Sequence, residues 1–296
     1  MKKKPDFLII GAMKCATSTL HEQLALQPDI FMTELKEPNF FSNDEQYQKG
    51  IEWYLSHFES ASDNYLCGES STHYTKLPTY PQTVSRIQTY LPNAKFIYVM
   101  RHPLDRLISQ YVHEWSQRVI DININEAIYQ YPELINYSKY TMQLLPYFEA
   151  FGQHRVLPIF FERLLKYPQI ELEKICKFID YPHQPQWQTI DALNVSTERM
   201  RRSEWRDILV EAPILKQIRR NFIPQNFRNR IKSLWTMKEK PQLKSENIKY
   251  LKSIFNEDLE LLGYWLGIEL NCDEFQKKIV NEKKVDWQNQ NYQDSQ

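Results

Sequence analysis

Short runs of consecutive apolar residues alternate along this chain with stretches whose apolar positions recur every three to four residues. Uninterrupted runs of that kind suit strands covered on both faces, and the alternation predicts a parallel sheet with helical crossovers. Phe7–Met13 is the first such run, followed by Ile30–Thr33, Leu66–Glu69, Lys95–Met100 and Val156–Phe161. A helix is expected from Thr17 to Gln27, with Leu20 and Leu24 on one face and Pro28 as its stop. Another starts at Pro103, a favoured first-turn residue, with Leu104, Leu107, Ile108, Tyr111, Val112 and Trp115 as its apolar side. Helical spacing further predicts 126–131, 138–151, 169–179, 206–220 and 246–262. The expected class is therefore α/β, a central parallel sheet flanked by helices in three layers. One domain is expected over 1–275, then a polar tail over 276–296 that should fray.

With 296 residues and 42% hydrophobic content, the chain can bury a substantial core. Basic and acidic residues balance at 37 each, so net charge selects no partner, and nothing suggests nucleic acid. The balance is not local. From Arg199 to Lys244 there are thirteen Lys/Arg against four Asp/Glu, a difference of +9. That stretch reads either as a solvated basic face or as an anion-binding surface. Cys15, Cys67, Cys176 and Cys272 show no CxxC pairing, which argues against a zinc site or disulfide framework and fits a reducing compartment. The basic start is followed by only seven apolar residues and no cleavage site, and no run approaches a membrane span. A soluble, cytoplasmic protein is expected.

Candidate chemistry lies where strands end. Phe7–Leu20 reads as strand, tight loop and helix start, with Lys14, Thr17, Ser18 and Thr19 crowded at the turn. Such a turn aims backbone N–H groups and the positive helix end at one point, which suits phosphate or sulfate. It is not a Walker A loop, because Lys14 precedes the hydroxyl run instead of ending a Gly-Lys-Ser/Thr sequence. Arg101 directly follows the strand Lys95–Met100, and Ser109 lies on the next helix; a guanidinium fork and a hydroxyl form a receptor for a second phosphate. The plainer alternative is an Arg101–Asp105 pair with Ser109 on the helix surface. Glu37 precedes Pro38 and is expected to be extended, off any helix, as a general-base candidate. His73, after the strand Leu66–Glu69, is a second base candidate, while Trp53, Tyr54 and Phe58 are expected in the core.

Together these segments resemble the sulfotransferases that use 3′-phosphoadenosine 5′-phosphosulfate (PAPS), above all the heparan sulfate N- and 3-O-sulfotransferases and their bacterial relatives. Gly11–Leu20 resembles the family's 5′-phosphosulfate loop, Arg101–Tyr111 its 3′-phosphate segment, and Glu37-Pro-Asn-Phe40-Phe41 its Glu-x-x-Phe-Phe. Lys49–Tyr54, Glu69–Tyr74 and Lys238–Leu243 resemble further family segments, so the likeness spans about residues 5–268. It implies a P-loop-nucleotide-kinase-like sheet and metal-free sulfuryl transfer to a hydroxyl or amine, yielding adenosine 3′,5′-bisphosphate. A carbohydrate, glycolipid or small metabolite is the implied acceptor. Lys14, Cys15, Ala16, Thr17, Ser18 and Thr19 would bind the 5′ end, with Lys14 also catalytic. Arg101 and Ser109 would bind the 3′-phosphate. Lys238 and Lys240 would close over the nucleotide, with Arg199, Arg201 and Arg202 as alternatives. Glu37 would be the base, and Ser70 and His73 would face the acceptor. The sequence departs from the family at Cys15-Ala16, where glycine is usual, and at Ser70, where lysine is common.

Two other readings stay open. A P-loop-type kinase should carry a Walker A loop and a metal-binding aspartate closing an apolar strand; the first is absent, and Asp180 falls in a helical stretch. A non-catalytic glycan-binding protein on the same fold would have no need of Lys14, Glu37, Arg101 and Ser109 together.

Overall fold

The computed structural model describes residues 3–189 and 241–288. Its centre is a five-stranded parallel sheet in the order β2-β3-β1-β4-β5. The strands are β1 (Phe7–Gly11), β2 (Ile30–Met32), β3 (Leu66–Ser70), β4 (Lys95–Met100) and β5 (Val156–Phe160). All of β1 and β5 is buried, as is β4 after Lys95, which is why these segments are unbroken apolar runs and not alternating ones. Pro158 interrupts the β5 run but is tolerated because β5 is an edge strand. In the register of β1 with β3, Phe7 lies opposite Gly68, where an added Cβ would come within 2.3 Å of the Phe7 ring. Only glycine permits that approach.

β1 ends at Gly11, two residues earlier than the apolar run predicts. The Ala12 N–H still reaches Val99 O at 2.8 Å, but Lys14 turns the chain out of the sheet with a φ of 71°. The helix that follows, α1 (Thr17–Ala25), buries Leu20 and Leu24 as expected. The other principal helices are α2 (Thr83–Tyr90), α3 (Pro103–Ser116), α4 (Ile124–Gln130), α5 (Tyr140–Phe151), α6 (Phe161–Lys166), α7 (Pro168–Phe178), α8 (Ser245–Leu266) and α9 (Phe275–Asn281). The helix expected over 206–220 lies outside the described residues. Among the described residues, no helix is long and apolar enough to cross a membrane.

Of the polar segment expected to fray, the described residues 276–288 are folded onto the rest of the chain. α9 buries Phe275 and Ile279, and Val285 is buried beyond it. The Trp287 indole N–H donates to Val156 O at 2.6 Å, and Arg163 Nη1 donates to Glu282 O at 2.7 Å. A few well-placed apolar and backbone anchors outweigh the polar composition.

The chain gathers into two compact units. The first comprises Met1–Leu107, Pro132–Thr189 and Lys249–Gln296 and carries the whole sheet. The second contains Ile108–Tyr131 and, among its described residues, 241–248. Within the second unit, Asn123 caps α4, Asn125 bonds to Lys244 N at 2.7 Å, and Tyr129 donates to Asn247 at 2.7 Å.

Candidate functional site

In a sheet of this order, ligands bind beyond the carboxyl ends of the strands, at the point where successive crossovers leave in opposite directions. Here that point lies at the ends of β1, β3 and β4. The loop after β1 carries two left-handed residues, Lys14 (φ 71°) and Ala16 (φ 63°), and Ala16 is the N-cap of α1 with no side-chain cap. The N–H groups of Thr17, Ser18 and Thr19 therefore open the helix without a capping acceptor, in the geometry that attracts an anion. Thr17 is buried, Ser18 and Lys14 are half-buried, and Thr19 is exposed. Cys15 is fully buried with its thiol pushed up to about 12 by that burial, so it offers the loop its backbone and not a thiolate.

Arg101 stands at the end of β4 and reaches this loop. Its Nη1 donates to Lys14 O at 3.3 Å, and its guanidinium lies 4.5 Å from the centre of the Phe161 ring. The Arg101 backbone is held by Tyr140: its N–H donates to the phenol oxygen at 3.2 Å, and the phenol in turn donates to the Arg101 carbonyl. Tyr140 opens α5, whose first N–H groups donate to the buried Asp258 carboxylate at 2.7 and 3.1 Å. Asp105, the partner in the plainer reading of Arg101, instead faces His102 at 3.8 Å. Ser109, half-buried on α3, belongs to the second unit.

Glu37 lies on a strap after β2 that is sewn to the end of β3. Its N–H donates to Ser70 O at 3.0 Å, and its Oε2 accepts from Thr72 N at 2.8 Å and from Thr72 Oγ1 at 3.1 Å. Asn39 N donates to Ser71 Oγ at 3.1 Å, and Ser71 Oγ donates to the buried Glu69 at 2.9 Å. The expected extended conformation is not adopted. Glu37 has a φ of 57° and Asn39 one of 52°, left-handed conformations that these bonds hold in place. Phe40 and Phe41 anchor the strap from below, with ring centres 5.0 and 4.9 Å from Tyr54. The two bonds from Thr72 to Oε2 thus fix the direction of the carboxylate.

The family profile for the sulfotransferase domain matches residues 4–263. The chain belongs to that family. Among curated relatives, the membrane-associated sulfotransferase kil1 of Dictyostelium discoideum is 39% identical over 119 residues, covering 38% of this chain and 24% of that protein. Heparan sulfate glucosamine 3-O-sulfotransferase 5 of Homo sapiens is 27% identical over 195 residues, covering 62% of this chain and 55% of that protein. The chain thus spans about a quarter to a half of the length of these relatives. A solved sulfotransferase from Alicyclobacillus acidocaldarius superposes with a TM-score of 0.64 at 21% identity, covering 90% of this chain and 98% of that one. That likeness extends the agreement in fold to nearly the whole chain.

Within this sulfotransferase domain, the two acceptor-side candidates differ in exposure, Ser70 being buried and His73 half-buried. Ser70 is fully buried, and its hydroxyl shares a 2.7 Å hydrogen bond with His21 Nδ1. It braces the strap instead of facing an acceptor. His73 stacks on Tyr80 at 4.9 Å, and burial with the nearby Lys76 charge pushes its imidazole down to about 4. Lys238 and Lys240, and the alternatives Arg199, Arg201 and Arg202, lie outside the described residues. Two residues not selected from the sequence join this cluster. Lys36 donates its ammonium to Ser18 Oγ, and Glu69 underpins Ser71. The only sequence signal for Lys36 was its place beside Glu37; its partner is eighteen positions away.

Proposed function

We propose that this sulfotransferase moves a sulfuryl group from PAPS to a hydroxyl or amine of a carbohydrate acceptor, with Glu37 as general base. The observation that supports it most is the bond from Arg101 to the Lys14 carbonyl. It joins the end of β4 to the anion cradle after β1, so a guanidinium stands beside a helix N-terminus, as a donor with phosphates at two positions requires. The donor supplies an activated sulfuryl group on a bridging oxygen of its 5′-phosphate. Lys14 and the N–H groups of Thr17, Ser18 and Thr19 bind the 5′ end, and Lys14 neutralises charge developing on the bridging oxygen. Arg101 binds the 3′-phosphate. Glu37 Oε1 takes the acceptor proton, a contribution of about 10²–10⁴-fold. The comparison with phosphoryl transfer is one of physics: positioning and charge stabilisation carry most of the rate.

A carbohydrate acceptor is supported by relatives named as heparan sulfate sulfotransferases and by the +9 difference over residues 199–244. The test is an acceptor panel with sulfur-labelled PAPS. Label should pass to sugar hydroxyls or amines and fall by about 10²-fold or more in Glu37→Gln. Label reaching no acceptor, or undiminished transfer by Glu37→Gln, would overturn the assignment, the second result moving the base to His73.

A further inference from the structure

The strap carrying Glu37 brings a second cation to the cradle. Lys36, immediately before the proposed base, turns back over α1 and donates to the hydroxyl of Ser18, in the first turn of that helix. It is half-buried, and burial pushes its ammonium below the usual lysine range while the Glu37 and Glu22 carboxylates oppose that shift. Lys14 acts on it as a like charge. On the other side, His21 is buried, bonded to Ser70, and pushed down to about 4 by burial and by the Lys36 charge, so it adds no third positive charge. Two ammonium groups and the positive end of α1 thus converge near the carboxylates of Glu22 and Glu37, and Glu37 is already bonded to Thr72. Crowding like charges at a half-buried point is unfavourable, and it suits an anion whose charge is spread over several oxygens.

We propose that Lys36 is a further catalytic residue, contacting the non-bridging oxygens of the transferred sulfuryl group together with the Ser18 hydroxyl it holds. The proposal rests on the donor assignment above and assigns separate work to the two lysines. Lys14 serves the oxygen that departs, and Lys36 the group that moves. In the step, the acceptor oxygen or nitrogen forms a bond to sulfur as the bond from sulfur to the bridging oxygen breaks. That electron pair leaves with the 5′-phosphate, the acceptor proton passes to Glu37, and Lys36 keeps its protons throughout. Because Lys36 and Glu37 are adjacent on one pinned strap, base and cation are set at a fixed spacing by the same bonds to Ser70 and Thr72.

The test is Lys36→Met, which keeps the length of the side chain and removes its charge, with Lys36→Arg as the charge-retaining control. Adenosine 3′,5′-bisphosphate, which carries no sulfuryl group, is titrated by calorimetry, and transfer is measured with labelled PAPS. Lys36→Met should lower kcat by about 10²–10³-fold, with bisphosphate affinity changed by less than about threefold. Lys36→Arg should recover most of that loss, and neither variant should lower Tm, because the methionine removes a desolvated charge. A kcat near that of the parent in Lys36→Met would overturn the inference. So would a parallel loss of bisphosphate affinity, which would make Lys36 a nucleotide anchor instead. Failure of the unsubstituted protein to bind bisphosphate is a separate result and would overturn the donor assignment itself.

Discussion

Glu37 and Glu69 are joined through one short network but are placed in opposite environments. Glu37 is half-buried and has one oxygen committed to Thr72. Glu69 is fully buried, and burial pushes its carboxyl up to about 8, against the hydrogen bonds it accepts from Ser71 and Tyr54 and with the Glu37 charge adding to the rise. Burial thus holds Glu69 as a neutral acid at neutral pH beside the Glu37 carboxylate, the group proposed to take the acceptor proton. Glu37→Gln should therefore abolish most transfer and leave bisphosphate binding intact, as transfer assays paired with calorimetry would show. Glu69 makes a separate prediction for stability. Below the ordinary carboxyl value of 4.5 both folded and unfolded chains carry the proton. As pH rises towards 8 the folded state keeps a proton that the unfolded state has released, so stability falls, and the loss is complete above that value. Glu69→Gln should remove this dependence. The stability of the variant relative to its parent, read by denaturant titration, is expected to climb between about pH 5 and pH 9 by an amount on the order of a few kcal/mol; a constant difference would contradict the buried neutral acid.

The strap 37–41 shows how an element can be held at both ends by different forces. Hydrogen bonds to residues 70–72 fix its direction, and two buried phenyl rings fix its depth. Phe41→Ala should cost about 3–5 kcal/mol of stability, read by denaturant titration, and should reduce kcat more than bisphosphate affinity, because the strap carries the proposed base and not the proposed nucleotide contacts. The elements of the sheet were legible in the sequence because burial on both faces leaves a plain signature. Lys95–Met100 matches the predicted bounds, and Val156–Phe160 and Ile30–Met32 differ from prediction by one residue. The cradle loop was legible because its chemistry is local. What was not legible depends on contacts distant in sequence. Lys36 meets Ser18, Ser70 meets His21, and Glu37 takes a left-handed conformation because Ser70 and Thr72 bond to it across the strap. Local preference before Pro38 argued for extended backbone there, and tertiary bonds overrode it.

At the scale of the molecule, the segment after α9 is part of the folded unit that carries the sheet. Val285 is buried, Trp287 donates to Val156 on the edge strand, and Glu282 accepts from Arg163, which also donates to Ile279 O and to the buried Glu171. Composition hid this, because three apolar anchors among lysines, glutamates and asparagines form no periodic pattern. Deleting residues from 282 onward should lower Tm by several degrees, equivalent to about 2–4 kcal/mol for the buried side chains and lost bonds; an unchanged Tm would show the segment to be dispensable. Charge follows the same division between local and global. The net balance is zero, yet the cradle gathers Lys14, Lys36, Arg101 and a helix N-terminus around the ends of β1 and β4. Such a cluster should bind a multiply charged nucleotide without metal and lose affinity as salt rises. The most direct test is calorimetric titration of the unsubstituted protein, in metal-free buffer, with adenosine 3′,5′-bisphosphate and with adenosine 5′-monophosphate, which lacks the 3′-phosphate. The bisphosphate should bind at least about tenfold more tightly, a difference of about 1.4 kcal/mol, and Arg101→Ala should erase that preference. Equal affinity for the two nucleotides, or binding only of ATP with magnesium, would contradict a donor held at both of its phosphates.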